Sequence, residues 1–170
     1  KNRSFHEKIV AAGKTEGLDG IEIHYNGDFN KEDVEETKQL IKENGLQVSA
    51  INCEIFGDRI FKKGALTATD PEVRGEAIKI VQEAGAMAKK LDATVVNVWP
   101  GADGFDYAFQ IDYEKEIDLM VDAIKEIGNS KPDVKFSFEY KIKEPRIRST
   151  AGTVGKTLSI INETTCDNVG

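Results

Sequence analysis

Four times along this chain a short run with β-branched or alternating residues gives way to a longer run with apolar residues at helical spacing, and that rhythm restricts the fold more than any single motif. Ser4 with Glu7 three residues later forms a capping-box pattern, so the chain is expected to open on a helix to about Gly13. "DGIEIHY" then reads as a strand, and from Asn30 a helix carries Val34, Leu40 and Ile41 on one side until Gly45. "LQVSAINCEIF" is the next strand. Asp70 is placed to cap a third helix with Pro71 at its first position, and "ATVVNVW" follows as a strand. Asp112 caps a fourth helix through Ile117, Met120, Val121, Ile124 and Ile127 to Gly128. "VKFSFEYK" is a strand, Val154, Leu158 and Ile161 mark a fifth helix, and "DNVG" falls where another strand is due.

Regular β/α alternation argues for a parallel sheet with crossover helices. An open nucleotide-binding sheet usually carries GxGxxG after its first strand, and "DGIEIHYNGDFNKED" has none. Alternation within "VKFSFEYK" favours a barrel: Val134, Phe136, Phe138 and Tyr140 share one face, and Lys135, Ser137, Glu139 and Lys141 the other. In a barrel the apolar face meets helices and the polar face looks into the lumen. A complete barrel takes about 250 residues, so four strands in 170 residues make roughly half of one. The fold class is therefore α/β, a partial (β/α)8 TIM barrel of about four strand-helix units preceded by a helix. Residues 1–170 are read as one such domain, a fragment lacking its first strand and everything after the fifth helix.

Composition narrows the function. The formal charge of −7 disfavours general attraction to nucleic acid or an anionic membrane. No apolar run approaches the roughly 20 residues that cross a bilayer, and no basic-then-apolar leader is present, so a cytoplasmic location is expected. Cys53 and Cys166 sit in no CxxC or Cys/His arrangement, which argues against a disulfide scaffold or structural zinc. "TAGTVGKT" fails as a phosphate loop because Thr150 stands where its first glycine belongs.

Barrel active sites lie at the carboxyl ends of the strands. The polar and aromatic residues there are His24, then Asn52 and Glu54, then Trp99 with Asp103 beyond, then Glu139 and Lys141. Each has a plain structural alternative: an exposed histidine, a packing tryptophan, loop caps at Asn52 and Glu54, and an ion pair between Glu139 and Lys141. Their convergence at one end favours a site for a polyhydroxylated, uncharged ligand. There Glu139 could hold a hard divalent cation, Lys141 donate to a substrate oxygen, Trp99 stack on a sugar face and His24 handle a hydroxyl proton.

The runs "IEIHY", "LQVSAINCEIF", "TDPEVRGEAI", "VNVWPGADG" and "FEYKIKEP", in this order over nearly the whole chain, resemble the xylose isomerase-like barrel superfamily, in particular L-rhamnose isomerase-type sugar isomerases. The resemblance implies a metal-dependent aldose–ketose isomerase using Mn2+, Co2+ or Mg2+, acting on a small sugar as a homo-oligomer. It also implies residue roles: Glu139 as metal ligand, Lys141 at the reacting substrate oxygen, His24 assisting ring opening or binding the ring oxygen, Trp99 shielding the hydride path from water, and Phe56 lining the same pocket. The family draws its remaining metal ligands from later strands, so the metal site is expected to be incomplete here and the fragment inactive alone. A sugar epimerase or dehydratase of the superfamily, and a non-catalytic self-associating fragment, are the alternatives.

Overall fold

Local capping starts the helices where the sequence calls for them. In the computed structural model, which describes residues 3–170, helix α1 (Phe5–Gly13) opens on a complete capping box. The Glu7 amide donates to Ser4 Oγ at 3.2 Å and the Ser4 amide to Glu7 Oε2 at 2.8 Å. Helix α3 (Pro71–Lys90) starts with the Glu72 amide donating to Asp70 at 3.0 Å. Helix α4 (Tyr113–Ser130) starts with the Lys115 amide donating to Asp112 at 3.1 Å, and it runs two residues past the expected Gly128. Helix α2 (Val34–Glu43) begins later than expected, because Asn30 instead accepts from the Glu32 amide at 2.8 Å and holds a preceding turn.

The strands β1 (Gly20–Tyr25), β2 (Gln47–Cys53), β3 (Val95–Val98) and β5 (Phe136–Phe138) form one parallel sheet in the order β1-β2-β3-β5. Two further short strands, β4 (Gly104–Phe105) and β6 (Arg148–Ser149), pair antiparallel in the loops beyond β3 and β5. Residues 168–170 lie along β5 where a further strand was expected. The Phe136 amide donates to the Asn168 carbonyl, and the Gly170 amide returns to the Phe136 carbonyl, each at 2.9 Å.

One face of the sheet meets the helices. Ile23, Ile51, Val96 and Phe136 stand in register there, all essentially inaccessible, against Ala77, Val81, Ala84 and Gly85 of α3. Gly85 eases this approach, since a Cβ at that position would lie 3.1 Å from Phe136 Cζ and the ring would have to give by a few tenths of an ångström. The opposite face, with Glu22, His24, Asn52, Asn97 and Ser137, is more open. That is the inside-out division of a barrel wall, apolar outward and polar inward.

Two expectations of facing are corrected. The last strand ends at Phe138, so Tyr140 lies beyond the pleat and is 52% exposed instead of meeting the helices. Helix α5 (Val154–Thr164) forms, but Val154 and Leu158 point outward; its buried face is Thr157, Ile160, Ile161 and Thr164. Thr153 caps it through the Lys156 amide, and the early apolar residues lie on its solvent side.

Candidate functional site

Parallel register brings distant residues into one row. His24 on β1 pairs with Asn52 on β2, Asn52 with Asn97 on β3, and Asn97 with Ser137 on β5. A register shift between Ile21 and Glu22 places Glu22 opposite Ala50, one layer below His24 on the same face. Glu139, one residue past β5, continues the ladder by donating its amide to the Val98 carbonyl at 3.0 Å.

A chain of side-chain hydrogen bonds runs diagonally across these four strands. Asn52 Nδ2 donates to Glu22 Oε2 at 3.0 Å, while Asn97 Nδ2 donates both to Asn52 Oδ1 at 2.8 Å and to Glu139 Oε2 at 3.0 Å. Each end is a carboxylate. The diagonal follows from strand tilt, which staggers neighbouring strands in a barrel wall.

This ladder floors a cleft of about 170 Å³ lined by Glu22, His24, Asn52, Cys53, Phe56, Asn97, Trp99 and Glu139. Phe56 and Trp99 form its aromatic wall, with ring centroids 4.5 Å apart and planes inclined by 57°. Gly101 makes room for the indole. His24 Nδ1 stands 3.4 Å from Asp28 Oδ2, and the same oxygen accepts the His24 backbone amide at 3.1 Å. A carboxylate on the Nδ1 side favours a proton there and leaves Nε2 as an acceptor.

Of the expected site residues, His24, Phe56, Trp99 and Glu139 share this cleft. Lys141 stands at its edge, with Nζ 5.0 Å from the Trp99 ring centroid and 3.0 Å from Glu144 Oε2. Its partner is therefore Glu144, whose carboxyl it holds below the usual range, and not Glu139. Among the described residues neither Glu22 nor Glu139 has an ion-pair partner.

Two other strand-end residues have structural work. Glu54 accepts from the Gly57 amide at 2.9 Å and caps its loop. Asp103 is wholly buried, accepting from the amides of Ala65, Leu66 and Thr67 at 2.8, 3.3 and 2.7 Å and from the Thr67 hydroxyl at 2.7 Å. Burial pushes its carboxyl up, and these four donors pull against that rise. Sequence reasoning passed over Glu22 and Asn97, and it named Asn52 among the strand-end candidates while favouring a loop cap for it. The available signal was position: Glu22 is two residues from His24 and Asn97 two from Trp99, so each shares the lumen face with a residue already chosen.

Comparison with known proteins matches this arrangement of strands and loops to one family. The family model described as "Xylose isomerase-like TIM barrel" matches residues 10–170. The chain belongs to that family. A xylose isomerase of Thermus thermophilus is 31% identical over 129 residues, which are 74% of this chain and 33% of that protein. The chain thus spans about a third of the length of that curated relative. Among solved structures, the 3-keto-D-glucoside 4-epimerase of E. coli superposes with a TM-score of 0.77 at 17% identity, over 99% of this chain and 62% of that one. A xylose isomerase-like TIM barrel protein of Mycobacterium smegmatis in complex with magnesium gives 0.66 at 17% identity, over 98% and 54%. The fold is accordingly a partial barrel of the xylose isomerase-like family, whose relatives include sugar isomerases and epimerases.

Proposed function

We propose that this chain forms one partial barrel domain of a metal-dependent sugar isomerase that interconverts an aldose and a ketose. The observation that carries the reading is the cleft at the carboxyl ends of the strands, where an aromatic wall faces a hydrogen-bonded row ending in two carboxylates that have no ion-pair partner among the described residues. Aromatic faces suit the C–H side of a sugar, and carboxylate and amide oxygens suit its hydroxyls. The 31% identity to a xylose isomerase supports the same reading.

In this proposal Glu139 is a metal ligand, and the residues present fit that role in part. Asn97 holds Oε2 and fixes the carboxylate, leaving Oε1 without a protein partner among the described residues. No group of three His, Cys, Asp or Glu side chains that could hold a metal ion lies together among those residues. Glu139 would therefore be one ligand among several, the others coming from further strands of a longer polypeptide. A divalent cation, Mn2+, Co2+ or Mg2+, supplies when bound a Lewis acid for the sugar carbonyl. His24, oriented by Asp28, presents Nε2 to a ring hydroxyl and takes its proton during ring opening. Lys141, poised over Trp99, donates to the substrate oxygen at the reacting carbon. Trp99 and Phe56 exclude water from the reacting carbons. The enzyme is proposed to work in the cytoplasm as a homo-oligomer; no described helix is long and apolar enough to cross a membrane.

The test is a panel of aldoses assayed for ketose formation, with each metal, using the polypeptide that carries the remaining barrel strands. Ketose formation that is abolished by a chelator and by Glu139→Gln is expected. Normal turnover in that variant, or indifference to the chelator, would overturn the metal assignment. A sugar epimerase is the second reading, because an epimerase shares the fold and a fold does not fix a reaction. Conversion of one ketose into another without aldose, in a parallel panel of ketoses, would select it.

A further inference from the structure

We propose that Glu22 recognises the terminal hydroxyl of an open-chain sugar whose reacting end lies at Glu139. The inference rests on the sugar-enzyme reading above and extends it to the far end of the substrate.

The ladder sets the distance. Glu22 lies on the first of four neighbouring strands and Glu139 one residue past the last. Strands lie about 4.8 Å apart, so three steps span roughly 14 Å on a flat sheet and less across a curved wall. That suits an extended sugar with a hydrogen-bonding group at each end.

The ladder also sets the polarity. An amide nitrogen has two protons, and Asn97 Nδ2 commits both, to Asn52 and to Glu139. Asn52 Nδ2 turns toward Glu22, whose Oε2 accepts it, while the other Glu22 oxygen has no partner among the described residues. What the row offers the cleft is therefore mostly acceptors, the free oxygens of Glu22 and Glu139 and Asn97 Oδ1, beside a single uncommitted N–H on Asn52 Nδ2. An ionised carboxylate with no cation beside it calls for an O–H donor and repels an anion. At the Glu22 end this selects a hydroxymethyl group and rejects a phosphorylated one. A site built to bond a hydroxyl discriminates strongly against the analogue lacking it, because the acceptor is otherwise left unmet.

Two pairs of sugars differ only in the terminal hydroxyl: L-mannose against L-rhamnose, and D-xylose against 5-deoxy-D-xylose. Trp99 is the single tryptophan of this chain and lines the cleft, so its fluorescence reports sugar binding alongside turnover in the polypeptide with the whole barrel. Placing the reporter by subtraction of a Trp99→Phe variant isolates its signal. Glu22→Ala is expected to weaken binding of the hydroxylated member at least tenfold and to raise its KM with kcat within about twofold. The deoxy member should be unmoved, and Glu22→Asp should recover part of the loss; circular dichroism confirms that each variant is folded. Equal weakening of both members, or a fall in kcat at unchanged KM, overturns the contact and makes Glu22 a positioning group for Glu139. Discrimination in binding without turnover upholds the contact while sinking the isomerase reading. Turnover with no response to Glu22→Ala does the reverse, and absence of both defeats both.

Discussion

Gly101 shows how one missing side chain shapes the cleft. A Cβ at that position would stand 2.7 Å from Trp99 Cζ2, closer than real contacts allow, and a ring wedged against Phe56 cannot give as a flexible side chain would. Gly101→Ala is therefore expected to tilt the indole, shift its emission maximum and weaken sugar binding several-fold. An unchanged spectrum would mean the loop absorbs the methyl. Glu116 makes a different argument, about pH. It is 6% exposed, its Oε2 has no hydrogen-bond partner, and its carboxyl is pushed up by burial. Thr150, Lys156 and Arg146 oppose that rise, and Asp103 adds to it. Because the folded value lies above the unfolded one, the stabilising contribution is present below the ordinary carboxylate range and is lost as pH rises through the folded value. Denaturant unfolding followed from pH 4 to 8 should show Glu116→Gln losing less stability than the parent over that window, with a gain of about 1 kcal/mol at pH 7. Parallel pH profiles would refute it; some slope remains in the variant because Asp103 is shifted the same way.

At the scale of elements, the loops beyond β2, β3 and β5 are stitched into one layer by Arg146. Its Nε donates to the Ala102 carbonyl at 3.0 Å, one Nη reaches Asp106 at 3.3 Å, and the other donates to the Lys62 carbonyl. The pairing of β4 with β6 and the bond from the Thr150 amide to the Asp103 carbonyl at 3.2 Å add to the seam. Arg146→Met keeps the length of the stem but leaves these acceptors unmet, which costs roughly 1–3 kcal/mol where they are buried. Faster amide exchange at Ala65, Thr67, Ile147 and Thr150 together is the expected signature, and loosening confined to the 139–153 loop would show that the three loops are held independently. None of this was legible in the sequence, whereas the starts of α1, α3 and α4 were. A cap such as Asp70 depends on an amide two residues away. Arg146 bonds a carbonyl 84 positions distant, and no local pattern announces such a contact.

Across the whole molecule, the same distinction separates what alternation reveals from what only assembly creates. Period-two patterning identified the lumen face and placed His24, Trp99 and Glu139 near one end, since direction along a strand is a local property. The amide row needed the register of four strands, and the shift between Ile21 and Glu22 that sets its first member is silent in the sequence. Glu22 was passed over because its spacing from His24 gives its face but not its partner Asn52. The loop layer and the strand row also differ in how they can change. A substitution at Asn52, whose side chain bonds only strand residues, alters the lumen surface and leaves the loops as they are. A loop replaced alone, by contrast, arrives without the carbonyls and carboxylate that Arg146 requires from its neighbours, or the amides that Asp103 requires. Grafting between relatives would have to carry residues 62–69, 99–112 and 139–153 together, so in this half-barrel new substrate preference is easiest to reach by point changes along the strands, with the loop layer passing from ancestor to descendant as one block.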